Sequence, residues 1–378
     1  MKVYREAILP SAFMANGIAC GLKKSGKLDL ALIYSAMPAK ASCKFTANKF
    51  KAAPLRLNKI NLARHKRFQA IIANSGNANC FTGENGLRDA AGVAGALAKT
   101  LKLKKDSVLV ASTGIIGPRL PLLKIKKGIP ALVRGLSKQG INKAKKAILT
   151  TDTFAKEITV KFNIGNRLVT ICGIAKGAGM IAPDMATMLA FIVTDANIAQ
   201  GALNKALKIS VDNSFNCITV DGCMSTNDSV MLLANGAAGN TLIGLNKNFA
   251  TFVKALNIVC QQLAKSIVKD AEGASKFIEI KVTEAKDFTE ARKAALAIAN
   301  SNLFKTAMYG ENPNFGRIVA AVGASGINVN EKDIKIKVGP LDKKEISVVV
   351  SIGRGQASCE VYTSDLTPEY IKINAEYN

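Results

Sequence analysis

One threonine, Thr187, lies between Ala186 and Met188 in a small-residue, mostly apolar stretch, AKGAGMIAPDMATMLAFIVTDA (175–196). A threonine at a chain N-terminus can act as a nucleophile without a histidine, because its own α-amine accepts the hydroxyl proton. The ordinary pKa of that amine is about 7.7–8.0, against about 10.4 for lysine, so a useful fraction is unprotonated at neutral pH. The residue types therefore permit acyl-transfer chemistry at this position.

Thr187 becomes N-terminal only if the peptide bond between Ala186 and Thr187 is cut. The hydroxyl can attack the preceding carbonyl when the backbone holds the two groups close, and the small Ala186 side chain does not crowd that attack. Gly177 and Gly179 give the preceding loop the backbone freedom that this geometry needs. On residue types alone a second interpretation stays open, in which Thr187 is a β-branched residue starting the strand LAFIVT.

Other common chemistries lack the residues they need. The one histidine, His65, has basic neighbours in LARHKRF and is expected at the surface, which argues against Ser-His-Asp or Cys-His hydrolysis and against a histidine metal site. GLKKSGKL (21–28) nearly matches a phosphate-binding P-loop, but Leu28 replaces the Ser or Thr that holds magnesium. The following DLALIYS favours a strand where the motif requires a helix, so a turn between strands is predicted.

The charge balance raises nucleic-acid binding as an alternative. The 378 residues carry a formal net charge of +25, which in many proteins indicates phosphate binding. Lysine supplies most of this charge, aromatic residues do not alternate with it, and no zinc-finger, K-homology or RNA-recognition motif is present in the sequence. A lysine-rich, solvated surface that attracts anionic metabolites is predicted instead, with no nucleic-acid partner.

The composition is typical of a cytoplasmic globular protein of about two domains. No apolar run reaches the ~18 residues of a transmembrane helix, and Pro10, Ser11 and Asn16 interrupt the first apolar stretch. Neither a membrane span nor a signal peptide is therefore predicted. Eight scattered cysteines without a C-x-x-C pair are expected to be reduced and buried, not paired in disulfides or bound to zinc.

The apolar pattern predicts short strands alternating with helices. A helix at 287–304 is predicted to begin with the cap Asp287 and its box partner Glu290. A domain boundary near residue 280 gives a main domain, 1–280, and a smaller domain, 281–378. The other predicted elements are strands at 68–76 and 107–113, a helix at 86–103, a hairpin at 158–175 around Gly165-Asn166, a long helix at 247–270, and strands within DIKIKV, EISVVVSI and SCEVYTS.

Several long stretches together resemble one known family. KGAGMIAPDMATMLAFIVTDA is similar to the self-cleavage segment of the ornithine acetyltransferase family, the glutamate N-acetyltransferases of arginine biosynthesis. With this resemblance a nucleophilic Thr187 is the favoured interpretation. Further stretches match in the family's order over nearly the whole chain: NSGNANCFTG (74–83), ASTGIIG (111–117), ILTTDTFAK (148–156), VDGCMSTNDSVMLLANGAAGN (220–240), DAEGASKF (270–277), YGENPNFGRI (309–318) and YTSDLTPEYIKINAEY (362–377).

The resemblance implies a ping-pong acetyl transfer after self-cleavage between Ala186 and Thr187. Thr187 takes the acetyl group from N-acetylornithine and passes it to glutamate, with no metal or organic cofactor; some members also use acetyl-CoA as a co-substrate. The two fragments are expected to stay together as a heterodimer, and two heterodimers are expected to pair. By the same resemblance Thr113 and Gly114 form the oxyanion hole, and the substrate contacts are Thr150, Lys176, Thr187, Glu272 and Asn374.

The fold implied by the resemblance is mixed α/β (α+β), a layered α-β-β-α sandwich with a smaller C-terminal α/β domain. Self-cleaving aminopeptidases share this arrangement, so an amidohydrolase that releases the same acyl-enzyme to water is the nearest alternative function. The chain departs from the family where it ends at Asn378, one residue before the usual Thr or Ser, which puts the binding of substrate carboxylate in question. It also has Cys223-Met224 after VDG, Phe315 for tryptophan and Ser364 for cysteine.

Overall fold

The computed structural model of the chain describes residues 1–182 and 188–376. Ala186 and Thr187, which flank the predicted cleavage bond, and Asn378 lie outside these described residues. The described residues form two compact units, and none of their helices is long and apolar enough to cross a membrane. The first unit comprises Met1–Gly177, 188–213 and Ser225–Leu263; the second comprises 178–182, Ser214–Met224 and 264–376.

The first unit alternates strands and helices as the apolar pattern predicts. Its last helix, α6, continues past Leu263 into the second unit. In chain order the elements are β1 (Lys2–Tyr4), β2 (Phe13–Ile18), β3 (Leu30–Phe45), α1 (Ala53–Arg64), β4 (Phe68–Asn77), α2 (Gly83–Leu101), β5 (Val108–Ile115), α3 (Leu122–Arg134), α4 (Ile141–Ala147), β6 (Lys156–Ile164), β7 (Arg167–Lys176), β8 (Leu189–Thr194), α5 (Gln200–Asp212), β9 (Ser229–Ala234) and α6 (Lys247–Lys269).

The long strand β3 takes part in two sheets. Its first part, residues 30–35, pairs antiparallel with β2 and β4, and β5 extends that sheet in parallel to β4. Its second part, residues 40–45, pairs antiparallel with β9. From there the second sheet runs β9–β8–β7–β6–β1, with β8 and β9 parallel and the remaining pairs antiparallel.

The two sheets of the first unit pack face to face between helices. Neighbouring residues of a strand point to opposite faces, so Ile71 of β4 packs with Phe191 of β8 in the core between the sheets, whereas Ile72 packs under α2 and α3 on the outer face. On the outer face of the second sheet, Phe162 of β6 meets Phe252 of α6 edge to face, with ring centroids 6.3 Å apart. The predicted α-β-β-α sandwich is confirmed.

The second unit is a smaller α/β layer built on one sheet in the order β11–β12–β10–β13. β10 and β12 are parallel and the other pairs antiparallel. Ile280 of β10, Ala294 of α7 and Val361 of β13 belong to its apolar core. The elements are β10 (Phe277–Ala285), α7 (Phe288–Ala299), α8 (Asn302–Tyr309), α9 (Phe315–Ala324), β11 (Lys335–Val338), β12 (Glu345–Ser351), β13 (Ala357–Ser364) and α10 (Pro368–Ala375).

The predicted single helix at 287–304 is wrong, because the chain forms two helices there, α7 and α8. Ser301 starts the second of them, since its hydroxyl accepts the backbone N–H of Phe304 at 3.2 Å and so caps α8. The predicted cap of the first is confirmed: the Asp287 carboxylate accepts the backbone N–H of Glu290 at 2.9 Å. Serine within a helical apolar pattern was the signal for the break.

The division into units differs from the predicted domain boundary between residues 280 and 281. That position lies inside β10, whose register with β12 runs without interruption from Phe277 to Thr283. A boundary there would cut a hydrogen-bonded strand. The second unit begins instead after Leu263 and takes in two earlier segments of the chain.

The cysteines depart in part from the expectation that all are buried. All eight are free thiols, and five are buried. Cys20 and Cys43 are only partly buried, and Cys223 is exposed. Burial raises the pKa of Cys20 to about 12, and the hydrogen bond and charge of Asp29 act in the same direction, so this thiol stays protonated.

Candidate active site

Within the first unit, the ends of several strands bring polar groups together. Lys176 at the end of β7 is in register with Leu189 at the start of β8, and Leu189 is in register with Ser229 at the start of β9. The side chain of Asn227, just before β9, donates to the carbonyl of Ser112 on β5 at 2.8 Å. The ends of β5 and β7 and the starts of β8 and β9 therefore lie close together, and β8 begins two residues after Thr187 in the chain.

Thr113 and Gly114, the predicted oxyanion-hole residues, lie at the end of β5, where it runs parallel to β4. Thr113 is buried. Gly114 has a φ of 130°, and a Cβ added there would lie 2.5 Å from the backbone nitrogen of Asn77 and from the carbonyl carbon of Gly76. Backbone cannot move aside as a flexible side chain does, so only glycine fits at 114.

Replacing Gly114 with alanine is expected to destabilise the protein by about 1–3 kcal/mol more than replacing Gly117 does, because only the first change drives a methyl group into backbone. Gly117 is the matched control: its φ of 110° is equally unfavourable for alanine, but an added Cβ has nothing within 4 Å. Chemical unfolding of the two variants measures the difference.

Displacing the Gly114 N–H should also slow acetyl transfer by about 10²–10³-fold. If the Gly114 and Gly117 variants were equally stable and equally active, both predictions for Gly114 would be contradicted.

Two asparagines that the sequence did not single out hold the ends of β4 and β5. The Asn74 amide donates to the carbonyl of Asn77 at 2.8 Å and accepts the Ser112 hydroxyl at 2.6 Å. The Asn77 amide donates to the carbonyl of Pro118 at 3.1 Å. Polar residues in the run NSGNAN, at the end of an apolar strand, were the signal that could have found them.

Asp152, which sequence reasoning also missed, connects two of the predicted substrate contacts, Thr150 and Lys176. Its carboxylate accepts the Lys156 ammonium at 2.5 Å and the backbone N–H groups of Thr150 at 2.9 Å and Gly177 at 2.7 Å. The Lys176 ammonium lies 3.8 Å away. Burial alone would raise the pKa of Asp152, but the charges of Lys176 and Lys156 hold it well below its usual range.

A further lysine of this region lies in the turn that nearly matches a P-loop. Residues 21–29 form a loop between β2 and β3, as predicted, and not a strand-to-helix phosphate cradle. The Lys23 ammonium donates to the carbonyls of Leu28 at 2.8 Å and Leu149 at 2.7 Å. Burial lowers the pKa of Lys23 to about 8, with Asp29 opposing part of this effect. A lysine with a lowered pKa therefore lies beside residue 149, next to Thr150.

The second unit brings the predicted contacts Glu272 and Asn374 together. The Asn374 amide on α10 donates to Glu272 Oε2 at 3.0 Å and to the carbonyl of Tyr370 at 3.0 Å. The backbone N–H of Glu272 donates to the carbonyl of Ala178 at 3.0 Å. The Glu272 carboxylate packs against Gly179, where an added Cβ would lie 2.2 Å from it. The glycine thus leaves room for this carboxylate.

Asp221 fixes the same segment of the chain. Its carboxylate accepts the backbone N–H groups of Met180 at 2.6 Å and Ile181 at 2.9 Å, and the Tyr370 hydroxyl donates to it at 3.2 Å. One carboxylate therefore holds both residues 178–182 and α10, which carries Asn374. Cys223, where the chain departs from the family pattern, contacts the same residue: its backbone N–H donates to the Asp221 carboxylate at 3.0 Å, and its thiol donates to the Asp221 carbonyl at 3.6 Å.

The remaining departures lie away from these contacts or outside the described residues. Phe315 begins α9 and is exposed. Ser364 is buried at the end of β13, where its carbonyl accepts the Lys305 ammonium. The effect of ending at Asn378 on carboxylate binding stays a prediction.

The predicted site residues fall into two groups. Thr113, Gly114, Thr150 and Lys176 belong to the first unit, and Glu272 and Asn374 belong to the second. His65 pairs with Asp106 at 2.8 Å and is part of neither group. In the parts of the chain that the structure describes, no three His, Cys, Asp or Glu side chains are grouped so that they could hold a metal ion.

These features define a layered α-β-β-α fold with polar groups gathered at the strand ends of its first unit. Residues 14–342 match the ArgJ family. The arginine biosynthesis bifunctional protein ArgJ of Caldanaerobacter subterraneus subsp. tengcongensis is 45% identical, over 98% of this chain and 97% of the relative. The mitochondrial arginine biosynthesis bifunctional protein ArgJ of Lodderomyces elongisporus is 40% identical, over 99% of this chain and 95% of the relative. The chain belongs to the ArgJ family.

A solved structure is also similar to part of the chain. The ornithine acetyltransferase from Mycobacterium tuberculosis, complexed with ornithine, is 37% identical with a TM-score of 0.45. The match covers 48% of this chain and 97% of that one.

Proposed function

We propose that this chain transfers the acetyl group of N-acetylornithine to glutamate in arginine biosynthesis. The observation that carries the proposal is membership of the ArgJ family, with 45% identity over 98% of the chain to an arginine biosynthesis bifunctional protein. The word "bifunctional" in the name of that relative indicates a second activity. We propose that this activity uses acetyl-CoA as an alternative acetyl donor. All of these substrates are small molecules.

Maturation comes first in this proposal. The Thr187 hydroxyl attacks the carbonyl of Ala186, the C–N bond breaks, and the hydroxyl proton moves to the departing α-amine. Water then hydrolyses the resulting ester and leaves Thr187 as a free N-terminus. The Thr113 hydroxyl and the Gly114 N–H stabilise the oxyanion that forms during the attack, which is where fixed donors act most strongly.

In the transfer step the Thr187 α-amine takes the hydroxyl proton, and Oγ attacks the acetyl carbonyl of N-acetylornithine. Ornithine leaves with that proton, and the amine of glutamate then attacks the acetyl-threonine. We propose that Lys176, with Thr150 beside it, binds the α-carboxylate of the substrate. Glu272 and Asn374 stay predicted substrate contacts, and the carboxylate of Glu272 suits an ammonium group. The reaction needs neither metal nor organic cofactor, because Thr187 supplies both nucleophile and base.

The two fragments are proposed to remain together after the cut. β7 belongs to the first fragment, whereas β8 and β9 belong to the second. β8 makes six register pairs with β7, and β9 makes six with β3 of the first fragment. Separation would therefore expose apolar strands that are fully buried. We further propose that two such heterodimers pair.

Intact mass under denaturing conditions, with N-terminal sequencing, tests the proposal. Two fragments, 1–186 and 187–378, are expected, the second beginning Thr-Met-Leu-Ala-Phe. The matured protein should then form N-acetylglutamate from N-acetylornithine only when glutamate is present. Release of free acetate at an equal rate without glutamate would indicate the amidohydrolase instead. A single uncut chain without transfer would contradict the proposal, and acetyl-CoA as donor is assayed in parallel.

A further inference from the structure

A cavity on the first unit has no part in the mechanism above. Its volume is about 430 Å³, which is within the range of small-molecule sites. Its wall includes Lys49, Phe50 and Lys51 before α1, and residues 80–82 between β4 and α2. Among the described residues that line it, none is an aspartate or a glutamate. The cavity therefore suits an anionic ligand.

Two phenylalanine side chains of this cavity face solvent. Phe81 is 81% exposed and Phe50 is 70% exposed. A phenylalanine stabilises a protein when its ring is buried, so these two rings contribute little to folding. Exposed apolar groups that lie together are typical of binding surfaces. An aromatic ring in such a position offers a surface on which a nucleobase can stack.

The backbone of Phe81 supports the same interpretation. Its φ of 58° lies in the left-handed region, which is unfavourable for a residue with a bulky side chain. Such residues are held in place by their surroundings and are frequent at functional sites. The preceding Cys80 accepts the Gly117 N–H at 3.2 Å, and the buried Asn79 amide donates to the Gly86 carbonyl at 3.0 Å. The loop thus holds an aromatic ring in solvent at a cost in backbone free energy that burial does not offset.

Two lysines supply the positive charge of the cavity. Neither Lys49 nor Lys51 forms an ion pair within the part of the chain that the structure describes. The Lys51 ammonium donates to the carbonyl of Asn48 at 2.5 Å, which holds the charge without neutralising it. Arg56, in contrast, is paired with Glu84 at 2.7 Å. Because an unpaired ammonium attracts phosphate, the cavity suits a ligand that carries both a base and phosphates.

The cavity lies close to the predicted oxyanion-hole residues. Gly114 and Gly117 are three residues apart, so their Cα atoms are separated by at most about 11 Å. The Gly117 N–H donates to the carbonyl of Cys80, which lines the cavity. The pantetheine arm of CoA has about as many chain bonds as four peptide residues and extends to about 13–14 Å. An acetyl group on that arm can therefore span from the cavity to Gly114.

We propose that this cavity binds the nucleotide part of acetyl-CoA, with the adenine stacked on Phe81, Phe50 as a second apolar surface, and the phosphates on Lys49 and Lys51. The inference rests on the proposed function, because acetyl-CoA is the alternative acetyl donor there. Thr187 Oγ attacks the acetyl carbonyl, a C–O bond forms, the C–S bond breaks, and CoA leaves as the thiol with the hydroxyl proton. The acetyl-threonine is the intermediate that N-acetylornithine also gives. The two donors thus share the nucleophile but not the binding site.

Phe81→Gly separates a binding role from a structural one. Glycine adopts a positive φ freely, so this variant should be at least as stable as the wild type while it loses the ring. Phe81→Trp keeps an aromatic surface, and Lys49→Gln/Lys51→Gln removes the charge of the cavity. Two matched controls lie elsewhere: Phe315→Ala removes an exposed phenylalanine from α9, and Lys254→Gln removes an exposed lysine from α6.

Calorimetric titration of the matured protein measures binding directly, with CoA and with adenosine 3′,5′-bisphosphate, which lacks the pantetheine arm. We expect Phe81→Gly and Lys49→Gln/Lys51→Gln to raise both Kd values by about 10-fold, as the loss of a base stack or of two phosphate contacts predicts. Phe81→Trp and the two controls should stay within about 2-fold of the wild type. The KM for acetyl-CoA should rise in parallel, whereas the KM for N-acetylornithine should not change.

Wild-type affinity of Phe81→Gly for CoA would overturn the inference. A Phe81→Gly protein less stable than the wild type would also overturn it, since the ring would then be structural. If that variant dissociated into smaller assemblies with CoA binding intact, the cavity would be an interface between copies of this chain. A wild type that binds neither CoA nor the bisphosphate but still transfers acetyl groups from N-acetylornithine would remove the inference alone. Absence of transfer from both donors would instead remove the proposed function.

Discussion

Replacing Thr187 with alanine is expected to abolish both self-cleavage and acetyl transfer, with rates at least about 10⁴-fold below those of the wild type. The variant lacks the hydroxyl that is proposed to attack the Ala186 carbonyl, and no N-terminal threonine is then formed to carry the acetyl group. Intact mass should show a single chain of 39.9 kDa. Thr187→Ser, which keeps a hydroxyl, should still mature and transfer.

Thr194→Ala is the matched control for this experiment. Thr194 ends the same strand, β8, is buried, and donates its hydroxyl to the carbonyl of Thr170 at 2.8 Å. Its loss removes a buried threonine hydroxyl from β8 without touching the proposed nucleophile, so cleavage should proceed. Cleavage of Thr187→Ala at residue 186 would remove the mechanism, and failure of both variants would indicate a general effect on folding.

Replacing Asp152 with asparagine is expected to destabilise the protein by about 3–5 kcal/mol, because it removes one member of a buried ion pair. The Lys156 side chain is completely buried, and Asp152 is its ion-pair partner at 2.5 Å. Lys176 loses a neighbouring negative charge in the same change. Chemical unfolding measures the stability, and acetyl transfer should fall because Thr150 and Lys176 lose the carboxylate between them.

The double variant Asp152→Asn/Lys156→Met removes both members of the ion pair, and so separates the effect of a broken pair from the effect of the lost carboxylate. It should recover part of the stability but not the transfer rate, since Lys176 still lacks Asp152. The pH dependence has a definite sign: folding lowers the pKa of Asp152, so its contribution is present above about 4 and is lost as the pH falls below that value. Asp152→Asn should lack this loss. An Asp152→Asn variant as stable as the wild type would contradict the account.

Local patterns in the sequence predict most of the fold. The hairpin from β6 to β7 follows from Gly165-Asn166, and Gly165 does adopt a positive φ of 58°. The long helix α6 follows from the spacing of its apolar residues, such as Phe252 and Leu256, both fully buried. Such elements depend on neighbours a few residues away, which the sequence displays directly.

The groups that organise the site could not be predicted in this way. Asp228 contacts Met188, which is 40 residues away in the chain, and Asn227 contacts Ser112, 115 residues away. Asp152 is separated from Gly177 by 25 residues. Nothing in the local sequence distinguishes these aspartates and asparagines from surface residues, because their roles depend on which strands become neighbours.

The order of strands in the second sheet has a consequence for the matured protein. β8 and β9 lie between β7 and β3, so strands of the first proposed fragment flank those of the second on both sides. A cut made after folding leaves this arrangement intact, but refolding of the cut protein requires two separate chains to meet. Its midpoint of thermal unfolding should then rise more steeply with protein concentration than that of the uncut Thr187→Ala chain. Maturation would thus increase the number of separate chains that must associate on folding.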